Sequence, residues 1–130
     1  MSVENPGRVI SVVANGPTTK NRFGKRTTTQ PQTAGPCTVA GEAADGIIRN
    51  SVDTAGDPIG LGIGVGVYFI ELGATCTTVN GKLAVTTDTL GRAVTAVTGN
   101  KINGFIEQDG VIGDIVPCQM EPSMVKAVSP

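Results

Sequence analysis

The sequence predicts an all-β fold: a small β-barrel or sandwich-like domain with an extended N-terminal arm or loop. Three observations carry that expectation. The run Ile59-Gly60-Leu61-Gly62-Ile63-Gly64-Val65-Gly66-Val67 alternates apolar residues with glycine at a period of two, the side-chain period of a strand and not of a helix. Sixteen Val, ten Ile and sixteen Thr stand against four Leu and three Met, and β-branched residues are stiff at χ1 and fit a pleated surface. Turn signals recur through the second half at the spacing of about 8–12 residues typical of a sandwich or barrel. No convincing stripe at i, i+3, i+4, i+7 is present, so one short helix at most is expected.

The elements follow in order. Residues 8–14, Arg-Val-Ile-Ser-Val-Val-Ala, read as a first strand. Residues 15–36 are polar and punctuated by Pro and Gly, and read as an arm. A short strand is expected at 37–40, ended by Gly41, and another at Gly46-Ile47-Ile48, closed by Asn50-Ser51. Ala55-Gly56-Asp57-Pro58 is a turn, and Pro58 can open a strand but not centre one. The glycine-alternating run is read as a hairpin, 59–63 and 67–72 with Gly64-Val65-Gly66 at the bend; a single long strand is the alternative. Asn80-Gly81 is the strongest turn signal, a type I′ pair between segments 75–79 and 82–87. Further strands are expected at 92–98, 101–108 and 111–117, with residues 121–130 as a tail. The resulting division is an N-terminal strand segment (1–14), a basic arm (15–36), a β-domain (37–120) and the tail.

A chain of 130 residues fits one domain that buries roughly two-thirds of its unfolded surface. The filling is thin: no Trp, one Tyr (Tyr68) and three Phe (Phe23, Phe69 and Phe105), where aromatics normally supply much of the buried area. Such a core is expected to gain stability by association with copies of itself or with a larger surface. Gly60, Gly62, Gly64 and Gly66 leave one face without side chains, and are candidates for a close-packed seam between copies.

The net charge of −1 hides an asymmetry. Lys20, Arg22, Lys25 and Arg26 lie in a segment without an acid; the other six basic residues share the rest of the chain with all eleven acids, a balance of −5. The segment is too polar to fold alone and longer than most structureless loops. It is read either as a solvated loop or as an arm that orders on an acidic partner, with those four cations as contacts and Phe23 as anchor.

Catalytic chemistry is not expected. The chain has no His, which removes the Ser-His-Asp and Cys-His arrangements and the usual zinc patterns. Asp53, Asp57, Asp109 and Asp114 sit in turn contexts where Asp bonds nearby backbone. Cys37, Cys76 and Cys118 are odd in number, widely spaced and without a CxxC pair, as reduced, partly buried thiols would be. The glycine run lacks the third glycine of a dinucleotide fingerprint. No cofactor or metal is expected, and four cations with one Phe give weak support for a nucleic-acid surface. Met1-Ser2-Val3-Glu4-Asn5-Pro6 has neither a basic start nor an apolar run, and no apolar stretch approaches the ~20 residues of a membrane span, so synthesis in a cytoplasm without membrane attachment is expected.

The order of motifs is suggestive. Gly46-Ile-Ile-Arg-Asn50 and Gly56-Asp-Pro-Ile59 precede a strand ending in Glu71-Leu-Gly-Ala74. Asn80-Gly-Lys82, Thr87-Asp-Thr-Leu-Gly-Arg-Ala-Val94, Ile102-Asn-Gly-Phe105, Asp109-Gly110 and Gly113-Asp-Ile-Val116 follow. Over roughly residues 42–118 this resembles the capsid decoration, or cement, proteins of tailed bacteriophages and prophages, from many of which it departs by the longer basic insert at 15–36. The resemblance implies a compact β-barrel or β-tulip domain, gathered as a homotrimer on the outside of a phage head, with the major capsid protein and itself as partners. Another virion or tail β-module and a nucleic-acid-binding barrel are the competing readings.

Overall fold

Ten strands organise the residues that a computed structural model of the chain describes, namely 8–27, 33–63 and 65–120, and there is no helix among them. The strands are β1 (Val9–Ala14), β2 (Arg22–Arg26), β3 (Thr33–Pro36), β4 (Gly46–Ile48), β5 (Pro58–Gly62), β6 (Gly66–Glu71), β7 (Leu83–Thr87), β8 (Ala93–Thr95), β9 (Gly104–Ile106) and β10 (Ile115–Met120). The first five close into a barrel in the order β1-β3-β2-β4-β5. All its pairings are antiparallel except β1 with β3, where Val13 lies beside Thr33. The last five form a sheet in the order β6-β10-β9-β7-β8, antiparallel throughout. That sheet curls until Leu72 bridges Ala93 in parallel, with the Gly73 amide donating to the Ala93 carbonyl at 2.8 Å.

Strand alternation builds two cores. Val12 and Ala14 of β1, Ala34 of β3, Ile48 of β4 and Ile59 and Leu61 of β5 fill the barrel. Ile47 of β4 and Phe23 of β2 point the other way and form, with Tyr68, Ile70, Leu72, Val85, Ile106, Val116 and Met120, a second core between the barrel wall and the curled sheet. β4 is therefore buried on both faces, which explains its unbroken Gly-Ile-Ile burial. Gly24, beside Phe23, lies over Ile48: a Cβ there would come within 2.9 Å of Ile48 Cγ1. Small residues toward the barrel and large ones toward the sheet let one strand serve two layers.

The local turn chemistry is as the sequence predicts. Asn80 and Gly81 have φ of +54° and +80°, and Val79 and Lys82 bridge across them, as a type I′ turn requires. Pro58 opens β5.

The structure corrects three expectations. The arm at 15–36 is not an extension outside the domain, because β2 and β3 are barrel staves and the division at residue 36 cuts through the barrel. The hairpin at 59–72 does not form: β5 pairs with β1 and β4, β6 pairs with β10, and the glycine run carries the chain from one sheet to the other. The expected strand at 37–40 lies instead at 33–36. Of the segment 75–79, only Cys76 and Val79 make isolated bridges. The tail at 121–130 is outside the described residues.

Candidate interaction site

The basic residues of the second strand and its approach mostly hold this chain together. The Arg22 guanidinium donates to Glu71 Oε1 through Nε at 3.2 Å and NH2 at 3.1 Å, and to the Leu90 carbonyl. The Lys25 ammonium reaches both Glu42 oxygens, at 3.0 and 3.2 Å. The Arg26 amide donates to Asp45 Oδ2. Phe23 is wholly buried, with its amide on the Gly91 carbonyl, so in this fold it cannot anchor a partner; its apolar bulk is spent between the two sheets. Lys20 remains at the surface, its backbone amide tied to Ser51 Oγ at 3.0 Å.

Lys20 does not stand alone. With Asn21, Arg49 and Phe69 it lines a cleft of about 180 Å³ where the barrel meets the curled sheet. Arg49 follows β4, and period-two alternation puts it on the same side as Ile47, facing the second sheet. Its guanidinium carbon sits 5.6 Å from the Tyr68 ring centre. Tyr68 in turn is fully buried, with its hydroxyl within 3.3 Å of the backbone N and O of Arg8. The glycines of β5 make the arrangement possible. A Cβ on Gly62 would collide with the Tyr68 ring, and one on Gly60 would meet Arg49 Cβ and Val9 at 3.3 Å. Of the four seam candidates, Gly60 and Gly62 therefore meet this chain's own side chains. Gly66 pairs with Met120, and Gly64 is outside the described residues.

Glu42 organises the barrel's contact with the sheet. Its carboxylate accepts from the amides of Thr38 and Val39 and from Lys25. Burial pushes its pKa up, but these donors together hold it below the ordinary value of 4.5. The carbonyl of Glu42 accepts from Asn103 Nδ2, while Asn103 Oδ1 accepts from the Ala44 amide at 2.9 Å. Asn103, wholly buried, thus ties the barrel loop to β7 and β9. The amide and hydroxyl of Thr78 lower the Asp109 pKa from its ordinary value.

Two of the thiols are poor nucleophiles. Cys37, Cys76 and Cys118 are buried thiols. Burial, reinforced by the nearby Glu42 charge, pushes the Cys37 thiol up to about 12, and burial also raises Cys76; a protonated thiol neither attacks nor binds metal well. Among the described residues no three His, Cys, Asp or Glu side chains gather as a metal site. The surface offers cation and aromatic contacts instead. Sequence reasoning found Lys20 but not Arg49 or Phe69. The placement of Arg49 on the side of Ile47 was available from strand alternation, but its meeting with Phe69 depends on how the two sheets pack.

No family model matches the sequence, and no curated protein is similar to it. The fold does have a solved counterpart. It is similar to the crystal structure of the N base of the head fiber gp8.5 of bacteriophage phi29, with a TM-score of 0.71 and 15% identity, covering 92% of this chain and 98% of that one. At that identity the likeness establishes the shared fold. That counterpart is the base of a phage head fiber.

Proposed function

We propose that this chain is a structural protein of a phage virion that attaches to the outer surface of the head and reinforces its lattice, as a homotrimer bound to the major capsid protein. The observation that carries the reading is the nearly end-to-end fold likeness to the base of a phage head fiber. The raised pKa values of the buried Cys37 and Cys76 thiols support a binding role over turnover. Repeated attachment suits such a domain, since several weak contacts in a closed assembly give high avidity without a strong single site. The same likeness favours a second reading, in which the domain is the head-bound foot of a longer appendage.

The test is to incubate the purified protein with emptied, expanded phage heads, separate by sedimentation and image the pellet. Regular density at three-fold positions on the exterior is the expected result. Heads that stay bare at saturating protein refute the proposal. A head-bound foot would give isolated projections at few sites, distinguishing the two readings.

A further inference from the structure

We infer that the turn at 111–114 of one copy inserts its apolar tip into the pocket between Pro17, Pro36 and Leu90 of a neighbouring copy, and, resting on the proposed homotrimer, that this head-to-tail contact closes the ring of three. Three of the ten exposed large apolar side chains among the described residues fall within five consecutive positions: Val111, Ile112 and Ile115, at 52%, 60% and 47% exposure. Apolar residues scattered singly over a surface need no explanation. A pair at the corner of a tight turn does, because such corners normally carry Pro, Asn, Asp, Ser or Gly.

Hydrogen bonds tie the turn down while its tip stays exposed. The Asp114 amide donates to the Val111 carbonyl at 3.0 Å, and the Val111 amide donates to Asp114 Oδ2 at 2.9 Å. Gly113 takes a φ of +91°, as the third position of a type II turn requires, and its amide reaches the Leu72 carbonyl at 2.9 Å. Just before the turn, Gly110 and Cys76 exchange both backbone hydrogen bonds, and Asp109 Oδ1 accepts from the Thr78 amide at 2.7 Å. A knob shaped before it docks loses little freedom on binding.

The same chain carries a socket. Pro17, Pro36, the half-exposed Leu90 and the buried Cys37 line much of a pocket of about 180 Å³, beside Arg22. That is below the ~300–1,000 Å³ of small-molecule sites, and it suits one branched aliphatic side chain. Arg22 brings no unmet charge to it, since Glu71 engages the guanidinium. Glu71 also stands opposite Ile115 across the β6–β10 pairing, so socket and turn are joined through one residue on one side of the molecule. A knob on one patch and a socket on another make a heterologous contact, which forms a ring when the rotation between copies closes. A second copy is the occupant because it brings the matching guest in fixed shape.

The experiment uses the full chain. Sedimentation equilibrium is run on wild type, Ile112→Ser and Leu90→Ser, both exposed changes, with thermal melting as the folding control. Each variant is expected to weaken self-association about tenfold or more, as removing one buried aliphatic side chain from an interface does. Ile112→Cys and Leu90→Cys proteins are then mixed and treated with oxidised glutathione; the native thiols are buried. A disulfide-linked mixed dimer, absent from either protein alone, is expected, because the contact joins unlike patches. A wild-type trimer with folded Ser variants that associate equally well, or cross-links only between like proteins, overturns the inference and leaves the trimer standing. A wild type that stays monomeric at every concentration removes the trimer. The mixed cross-link then decides the contact by itself, and its absence overturns it. Ser variants that keep self-association but lose head occupancy assign the tip to the capsid, which also overturns the contact between copies.

Discussion

Two buried polar side chains make opposite predictions. Asn103 donates to the Glu42 carbonyl and accepts from the Ala44 amide inside the joint between barrel and sheet. Asn103→Ala strands the buried Ala44 amide, and the expected loss is about 1–3 kcal/mol in chemical denaturation. The Thr86 hydroxyl is buried with no hydrogen-bond partner among the described residues. Thr86→Val keeps the shape and removes the unmet group, so denaturation should show unchanged or slightly higher stability. Glu42 adds a pH dependence. Its folded pKa is below the ordinary 4.5, so its contribution is present above that value and lost as pH falls through the lower folded one. Glu42→Gln should melt lower than wild type at neutral pH, with the gap narrowing in acid; a gap independent of pH would mean that the carboxylate charge is not what stabilises the turn. None of these roles was visible in the sequence. Asn103 and Glu42 lie about 60 positions apart, and their pairing exists only after two sheets meet.

At the scale of elements, sequence and structure agree wherever the determinant is local. Asn80-Gly81 turns because both residues take positive φ, and Pro58 starts a strand. They differ where partner choice decides. The alternation in the 59–67 run specifies extended chain, yet nothing in it says whether consecutive strands pair with each other or part into separate sheets. Gly62 of β5 answers a need set by Tyr68, a residue of the other sheet. Gly62→Val should therefore unsettle the monomer itself, by about 1–3 kcal/mol for overpacking against the Tyr68 ring, with the near-UV tyrosine signal changing in step. Normal melting and an unaltered tyrosine environment, with loss of self-association, would restore these glycines as a seam between copies. The polar segment containing Phe23 gave a similar lesson. Its composition reads as solvated, but one Phe and two glycines suffice to place β2 and β3 in a closed barrel, because the neighbouring strands supply the rest of the apolar surface.

For the whole molecule, the thinness of the core remains a physical argument for association. Tyr68 and Phe23 are the only aromatics among the wholly buried side chains described, while Val9, Val39, Val65, Val79, Val97, Val111 and Ile112 are exposed. If the domain works as a trimer, sedimentation equilibrium should give about three times the 13.2 kDa chain mass, and the melting temperature should rise with protein concentration by mass action. A monomer with a concentration-independent transition would count against the trimer and leave single-copy attachment to the head.

By itself the sequence determined an all-β chain, its principal turns and its poverty in catalytic groups, since these follow from residue conformational preference and side-chain chemistry. Only the tertiary structure decided that the basic segment is barrel wall, that Phe23 is core, and that Lys20, Arg49 and Phe69 share one cleft. The reason is that a strand's two faces are set locally by alternation, whereas what each face meets depends on non-local pairing and on the packing of one sheet over the other.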